Sequence, residues 1–129
     1  MATTSFDLDR FLEPQEYIYP IALEEMKAGH KRSHWIWYIF PQEKGLGRSW
    51  NSEYYGLDGD EEAKAYLAHP VLGNRLREIT QSVLSHQGKF SVREIMGSGI
   101  DAVKLHSCMQ LFNRVSPNDI FAQVLDVYY

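Results

Sequence analysis

The chain has 129 residues, of which 44% are hydrophobic and 23% charged, proportions that favour one folded domain over residues 1–129 and argue against disorder. Its formal net charge of −4 argues against a general nucleic-acid binder, because such proteins need a broad basic surface. We therefore expect no nucleic-acid partner. A single cysteine requires no oxidising compartment, and no apolar stretch reaches membrane-spanning length, so we expect a cytoplasmic protein with no membrane partner.

The first third of the chain predicts two helices. Asp7 is a suitable N-cap for a short helix, since apolar residues follow it at helical spacing. Pro14 can begin a second helix, whose apolar face runs to a C-terminal stop at Gly29. Pro20 lies inside this second pattern and lacks a backbone donor, so we expect it to kink or split the helix.

The next stretch predicts short helices and a loop. Ser33 can cap one or two turns of helix, which end before Pro41 because a proline disfavours helical geometry in the residue that precedes it. A Gly-rich loop follows over residues 42–52. Asn51 or Ser52 can then cap a short helical piece.

Two further helices are predicted around a His-Pro pair. Asp60 can cap a helix that ends where His69 meets Pro70, and Pro70 lies in the first turn of the next helix. The apolar stripe of this next helix recurs at four, three and four residues, which indicates a buried face. Its members are Leu72, Leu76, Ile79 and Val83.

The last third predicts three helices. Ser91 and Glu94 have the spacing of a capping box, and Gly97 can close this short helix. The helix that follows Gly99 has one apolar face, formed by Leu105, Cys108, Met109, Phe112 and Val115. The last helix begins at residues 116–119, and its stripe comprises Ile120 or Phe121, Val124, Leu125 and Tyr128. No β-strand pattern exceeds four residues, so the sequence predicts an all-α fold, a compact array of six to eight mostly short helices.

Ordered motifs along the chain resemble a known family. Ser33–Gln42 reads SHWIWYIFPQ and Gly45–Ser49 reads GLGRS, while further matches are FDLxRF at Phe6–Phe11, EAxAYLxHPVLG at Glu62–Gly73 and DxxKL at Asp101–Leu105. These motifs are similar to those of the uncharacterised domain-of-unknown-function 1810 family, and they cover almost the whole chain. The resemblance implies a compact, mainly helical single domain for which no biochemical activity is established.

The segment Lys31–Ser49 is the most unusual in the chain. It places several aromatic residues directly behind His34 and then continues into a Gly-rich loop that carries Arg48. Five of the 13 basic residues fall from Lys27 to Arg48, where Glu43 is the single acidic residue. This local positive balance suits an anion-binding site, even though the whole chain is acidic.

In a first interpretation, the SHWIWYIFPQ and GLGRS motifs bind a small anionic, nucleotide-like ligand. If the protein is an enzyme, His34 is the candidate general acid or base, and Arg48 would stabilise charge during hydrolysis or transfer at a phosphorylated or ADP-ribosyl substrate. Lys104 and Ser107 are three residues apart on the polar side of a helix and can reach the same pocket. The ligand-binding residues in this interpretation are Trp37, Gln42, Arg48, Ser49, His69 and Lys104.

In a second interpretation, the chain is a protein-protein interaction module with no catalytic site, and the aromatic segment is structural core. His69 then helps to cap the helix that precedes it, and Lys104 lies on a solvated helix face. The two interpretations differ in an observable way. Convergence of His34, Gln42 and Arg48 on one concave polar pocket favours the ligand site, whereas divergence favours the interaction module.

The sequence predicts no metal site and no cofactor. His30 and His34 have helical spacing, yet Gly29 and the Ser33 cap break the helix around them. The G-x-G of the loop lacks the flanking strand and helix of a dinucleotide site, and no G-K-[ST] motif occurs in the sequence. Cys108 falls in an apolar stripe, where a cysteine acts as a small hydrophobic residue rather than as a nucleophile.

Overall fold

Eight helices and no strand are present in residues 6–129, the part of the chain that the computed structural model describes. The all-α prediction is therefore confirmed. The helices are α1 (Asp9–Ala28), α2 (Ile36–Ile39), α3 (Trp50–Tyr54), α4 (Gly59–Ala68), α5 (Leu72–Leu84), α6 (Val92–Met96), α7 (Gly99–Val115) and α8 (Ile120–Tyr128). Within the same residues, no helix combines the length and the apolar character that a bilayer crossing requires.

Helix α1 is continuous through both of its prolines, so the predicted pair of helices and the predicted Asp7 cap are wrong. The N-cap is Leu8, and the helix ends at Gly29 as predicted, where a positive φ of 79° stops it. One face is buried along its whole length, which outweighs the backbone hydrogen bond lost at Pro20, an exposed residue. The buried residues recur at four, four, three and four: Phe11, Gln15, Tyr19, Ala22 and Met26.

The N-caps of the next two helices differ from prediction. Helix α2 begins after Trp35 rather than at Ser33, whose hydroxyl donates instead to the Glu25 carboxylate at 2.6 Å. Helix α3 is capped by Ser49 rather than by Asn51 or Ser52, since the Ser49 hydroxyl accepts from the Ser52 N–H at 3.1 Å. The position of each N-cap depends on a hydrogen-bond acceptor that the local sequence pattern does not specify.

Helix α4 begins two residues earlier than predicted and its N-cap is Asp58, so Asp60 lies inside its first turn. It ends at His69 as predicted. Helix α5 follows after a short turn, and the two helices approach so closely that a Cβ added at Gly73 would lie 2.0 Å from the Leu67 carbonyl oxygen. Only glycine fits this contact.

Helices α5 and α7 form the centre of the fold, because each packs against several other helices. Helix α5 contacts α1, α4 and α8, while α7 contacts α2, α4, α6 and α8. The predicted apolar faces of both helices are confirmed, except that Val115 at the end of α7 is only half-buried. The buried residues are Leu72, Leu76, Ile79, Val83, Leu105, Cys108, Met109 and Phe112. The capping box of α6 is also confirmed, since the Ser91 hydroxyl and the Glu94 carboxylate each accept from the other residue's N–H.

The loop between α2 and α4 is fixed at its base. The Lys44 N–H donates to the Leu57 carbonyl at 2.8 Å, and the Leu57 N–H donates to the Gln42 carbonyl at 2.9 Å, which forms an isolated parallel bridge. Leu57 is fully buried beneath this bridge. Residues 45–48 therefore project from this base, and Leu46 and Gly47 among them line a pocket together with residues of α7.

Candidate functional site

A groove of about 440 Å³ lies between α2, the following loop and α7. We call it the α2–α7 groove. Three of the predicted ligand-binding residues, Trp37, Gln42 and Lys104, lie together in its wall, and Ser107 joins them. The complete lining comprises Trp37, Gln42, Leu46, Gly47, Ser52, Ile100, Val103, Lys104 and Ser107.

Helix α7 supplies one wall of the groove. Ile100, Val103, Lys104 and Ser107 share one face of the helix because they are spaced at three, four and seven residues. The core stripe occupies the opposite face, so these four side chains point outward. From the first to the last residue the wall rises by roughly 10 Å along the helix axis. It is apolar at its N-terminal end and polar at its C-terminal end.

The Lys104 ammonium is held in a defined position at the polar end. Its Nζ lies 4.1 Å from the centre of the Trp37 ring, a cation-π contact, and 3.6 Å from the Asp101 carboxylate. The side chain is 23% exposed, so it is less free than an ordinary surface lysine. An anion that enters the groove would meet a cation already in place.

Asp101 neutralises only part of the positive charge near this end. Its second carboxylate oxygen lies 2.8 Å from the Nζ of Lys31, whose side chain is 5% exposed. The two lysines contribute two positive charges and Asp101 contributes one negative charge, which leaves an excess of one positive charge. Lys104 is the cation of this group that faces the groove.

The loop supplies the other wall. Gln42 uses its backbone carbonyl in the bridge to Leu57 and presents its side chain to the groove. Gly47 packs directly on Ser52, since a Cβ added at Gly47 would lie 2.5 Å from the Ser52 hydroxyl. Beside it, Leu46 exposes 62% of its surface. This wall therefore combines one amide with an apolar, tightly packed turn.

The other predicted site residues lie outside the groove. His34 is exposed and lines a separate cleft of about 190 Å³ together with Lys31 and Asp101. Arg48 is exposed on the projecting part of the loop. His34 and Arg48 thus lie apart from Gln42, which is the arrangement that we expect of an interaction module. Gln42 lies instead beside Trp37 and Lys104.

Two predicted ligand-binding residues make helix-capping contacts. Ser49 caps α3. The Nδ1 atom of His69 accepts from the N–H groups of Val71 at 3.1 Å and Leu72 at 3.3 Å. The His69 side chain therefore caps the following helix, α5. The second interpretation predicted that it would cap the preceding helix.

The aromatic segment divides between core and groove. Trp35 and Phe40 are fully buried and their rings pack at 6.0 Å, so both belong to the core. Trp37 and Tyr38 are half-buried. Of these two, Trp37 lines the groove, and this residue is the part of the segment that is available to a ligand.

Glu25 positions the start of this segment, a role that the sequence analysis did not find. Its carboxylate accepts from the N–H groups of Arg32 at 2.8 Å and Ser33 at 3.0 Å, from the Ser33 hydroxyl, and from the Trp35 indole at 2.9 Å. Burial acts to raise its pKa, but these hydrogen bonds stabilise the charged form and lower the pKa from 4.5 to about 2.

Cys108 does not line the groove. Cys108 is fully buried, and burial raises the pKa of its thiol well above the ordinary value, as expected of an inert cysteine. Over residues 6–129, no three His, Cys, Asp or Glu side chains are grouped so that they could hold a metal ion.

Comparison with known proteins identifies the family. A family model described as "Protein of unknown function (DUF1810)" matches residues 5–129. The chain belongs to the DUF1810 family. It is similar to the conserved hypothetical protein Rv1873 from Mycobacterium tuberculosis, whose crystal structure has 46% sequence identity, a TM-score of 0.91, and coverage of 96% of this chain and 88% of the other. No curated protein matches. The resemblance seen in the sequence is therefore confirmed.

The residues of this DUF1810 protein that the sequence analysis missed are the apolar ones of the groove. Ile100 and Val103 are 70% and 66% exposed, although they are aliphatic and lie on a helix with a separate core stripe. Their place on the same helix face as Lys104 was visible in the sequence as an interruption of the polar side of α7. Leu46 gave no comparable signal, because it lies in a loop without periodicity.

Proposed function

We propose that the α2–α7 groove binds a small anionic molecule. The observation that carries this proposal is the shared position of Trp37, Gln42 and Lys104 in one concave site, with the Lys104 ammonium fixed over the Trp37 ring. Most small-molecule sites combine a largely apolar lining with a few placed polar groups. Here the polar residues of the lining are Gln42, Ser52, Lys104 and Ser107.

The proposed role is binding rather than catalysis. His34, the candidate general acid or base, lines a different cleft and is not among the residues that line the α2–α7 groove. We also propose a cytoplasmic setting for this role, which the single buried cysteine supports, because a thiol of this kind needs no oxidising compartment.

A thermal-shift screen of small anions tests the proposal. The panel comprises inorganic phosphate, AMP and short carboxylates, and we expect at least one of them to raise the melting temperature of the native protein. The Lys104→Met variant should lose most of this shift, because methionine keeps the chain length and removes the charge. Arg48→Ala should lose less, since Arg48 lies outside the groove.

The matched control is Lys64→Met, which removes an exposed lysine from α4. It should respond to each anion as the native protein does. The proposal fails if no anion shifts the native protein, or if Lys64→Met and Lys104→Met lose the shift equally.

A protein partner is the second candidate, and exposed apolar surface favours it. Leu46, Ile100 and Val103 surround the groove and are each more than 60% exposed. Such a cluster on a protein surface often marks an interface. Binding of a protein instead of an anion would then be weakened by Ile100→Ser and left unchanged by Lys104→Met.

A further inference from the structure

The charge of the α2–α7 groove sets a limit on the charge of its ligand. Lys31, Lys104 and Asp101 together leave one excess positive charge, and Lys104 is the cation of this group in the groove lining. A carboxylate carries one negative charge and would balance it. A phosphate monoester carries about −1.5 to −2 at pH 7, so it would leave uncompensated negative charge beside Asp101.

The remaining lining indicates the nature of the rest of the ligand. Ile100 and Val103 continue the α7 wall away from Lys104, and Leu46 lies in the loop wall. All three side chains are aliphatic and strongly exposed, so covering them would remove apolar surface from water. From Lys104 to Ile100 this part of the wall extends by roughly 6 Å along the helix axis, which matches a short extended aliphatic chain.

We infer that the groove selects a monoanionic amphiphile, a free carboxylate at Lys104 with an aliphatic body along Ile100, Val103 and Leu46. This inference rests on the proposed function and narrows it from anions in general to one class. It disfavours the nucleotide-like ligand that the sequence suggested, because no second cation among the described residues lines the groove.

A titration followed by amide chemical shifts tests the inference on the full chain. The probes share one aliphatic chain and differ in the head group: octanoate, 1-octanol and octyl phosphate. Butyrate tests the length of the chain, and AMP tests the nucleotide alternative. We expect octanoate to bind about tenfold more tightly than 1-octanol, more tightly than butyrate, and at least as tightly as octyl phosphate. Shifts should concentrate at residues 100–107 and at the Trp37 indole.

Two variants separate the head-group contact from the chain contact. Lys104→Met should bind octanoate and 1-octanol equally, because the charge preference is gone. Ile100→Ser should weaken both by about tenfold and keep the preference for octanoate. Ile100 is 70% exposed, so this variant tests the inference even if Lys104→Met does not fold. Ile21→Ser, an exposed position on α1, is the matched control and should change neither affinity.

The outcomes distinguish this inference from the proposed function. Tighter binding of octyl phosphate or AMP than of octanoate, with the same dependence on Lys104, overturns the inference and leaves the proposed function in place. Unchanged octanoate affinity in Ile100→Ser overturns the aliphatic part. Failure of every anion to bind overturns both.

Discussion

At the scale of single residues, the Glu25 carboxylate orders the segment before α2 through hydrogen bonds. Four donors from Arg32, Ser33 and Trp35 converge on it. Hydrogen bonds to a charged acceptor are stronger than neutral ones, and donors left without an acceptor on folding are costly. The carboxylate therefore fixes the backbone turn that directs Trp35 into the core and leads into α2, which carries Trp37.

We predict that Glu25→Gln lowers the free energy of unfolding at pH 7 by about 1–2 kcal/mol, a value reduced for solvent screening because the side chain is half-buried. Stability is lost because the glutamine amide has only one acceptor oxygen, and its NH2 group cannot accept a hydrogen bond from any of the four donors. Chemical denaturation measures the change. Glu24→Gln is the matched control, since Glu24 is the exposed neighbour, and an equal loss in both variants would contradict the assignment.

The same residue predicts a pH dependence. Because folding lowers the pKa of Glu25 from 4.5 to about 2, its contribution to stability is present above pH 4.5 and is lost as the pH falls from 4.5 towards 2. Denaturation curves at several pH values in this range should show a smaller decline for Glu25→Gln than for the native protein. Parallel declines would mean that Glu25 is not the group that titrates.

At the scale of elements, the α4–α5 junction depends on one close contact. An added Cβ at Gly73 would lie 2.0 Å from the Leu67 carbonyl oxygen and 2.9 Å from its carbon. These are backbone atoms of the last turn of α4, which cannot move without shifting the helix. We predict that Gly73→Ala destabilises the protein by about 2–3 kcal/mol, measured by chemical denaturation.

Gly99→Ala is the matched control for this prediction. Gly99 is also a helical glycine, yet an added Cβ there would meet nothing closer than 3.8 Å, the side chain of Arg93. Alanine has the higher helix propensity, so this variant should be neutral or more stable by up to about 1 kcal/mol. Equal destabilisation of the two variants would show that the Leu67 contact is not limiting.

At the scale of the whole molecule, Arg10 connects three parts of the chain. From α1 its guanidinium donates to the carbonyls of Tyr54 at 2.8 Å and Gly56 at 3.0 Å, and to the Glu62 carboxylate of α4 at 2.8 Å. Glu62 is 3% exposed and also accepts from the Asp58 N–H at 2.7 Å. The pair therefore fixes the end of the loop whose other end forms the α2–α7 groove.

We predict that Arg10→Met lowers the free energy of unfolding by about 3–5 kcal/mol, because it leaves the buried Glu62 carboxylate without its cation. Adding Glu62→Gln to this variant should restore part of the stability, since the uncompensated charge is removed while the acceptor for Asp58 remains. A double-mutant cycle by chemical denaturation measures both effects. If Glu62→Gln adds a further loss to Arg10→Met, the buried charge is not the cause.

An exposed ion pair is the control for this cycle. Lys64 and Glu61 lie 3.5 Å apart on α4 with more than half of each side chain exposed. Lys64→Met should therefore cost less than about 1 kcal/mol.

The sequence by itself determined the features that depend on neighbouring residues. The buried stripe that begins at Leu72 and the capping box of Ser91 and Glu94 are set by spacing within one helix, and both were predicted with the correct residues. The DUF1810 motifs were also readable, because they are ordered strings. Fold class followed from these local patterns, since each amphipathic helix must bury one face.

Only the tertiary structure decided which predicted site residues meet. Lys104 reaches Trp37 because α7 packs against α2, a contact between residues far apart in sequence. His34 precedes Trp37 by three residues, yet it lies in another cleft, because α2 begins only after Trp35. Helix α1 continues through Pro20 because its contacts with α2 and α5 bury one of its faces. In each case a long-range contact outweighs the local preference, and no local pattern contains that contact.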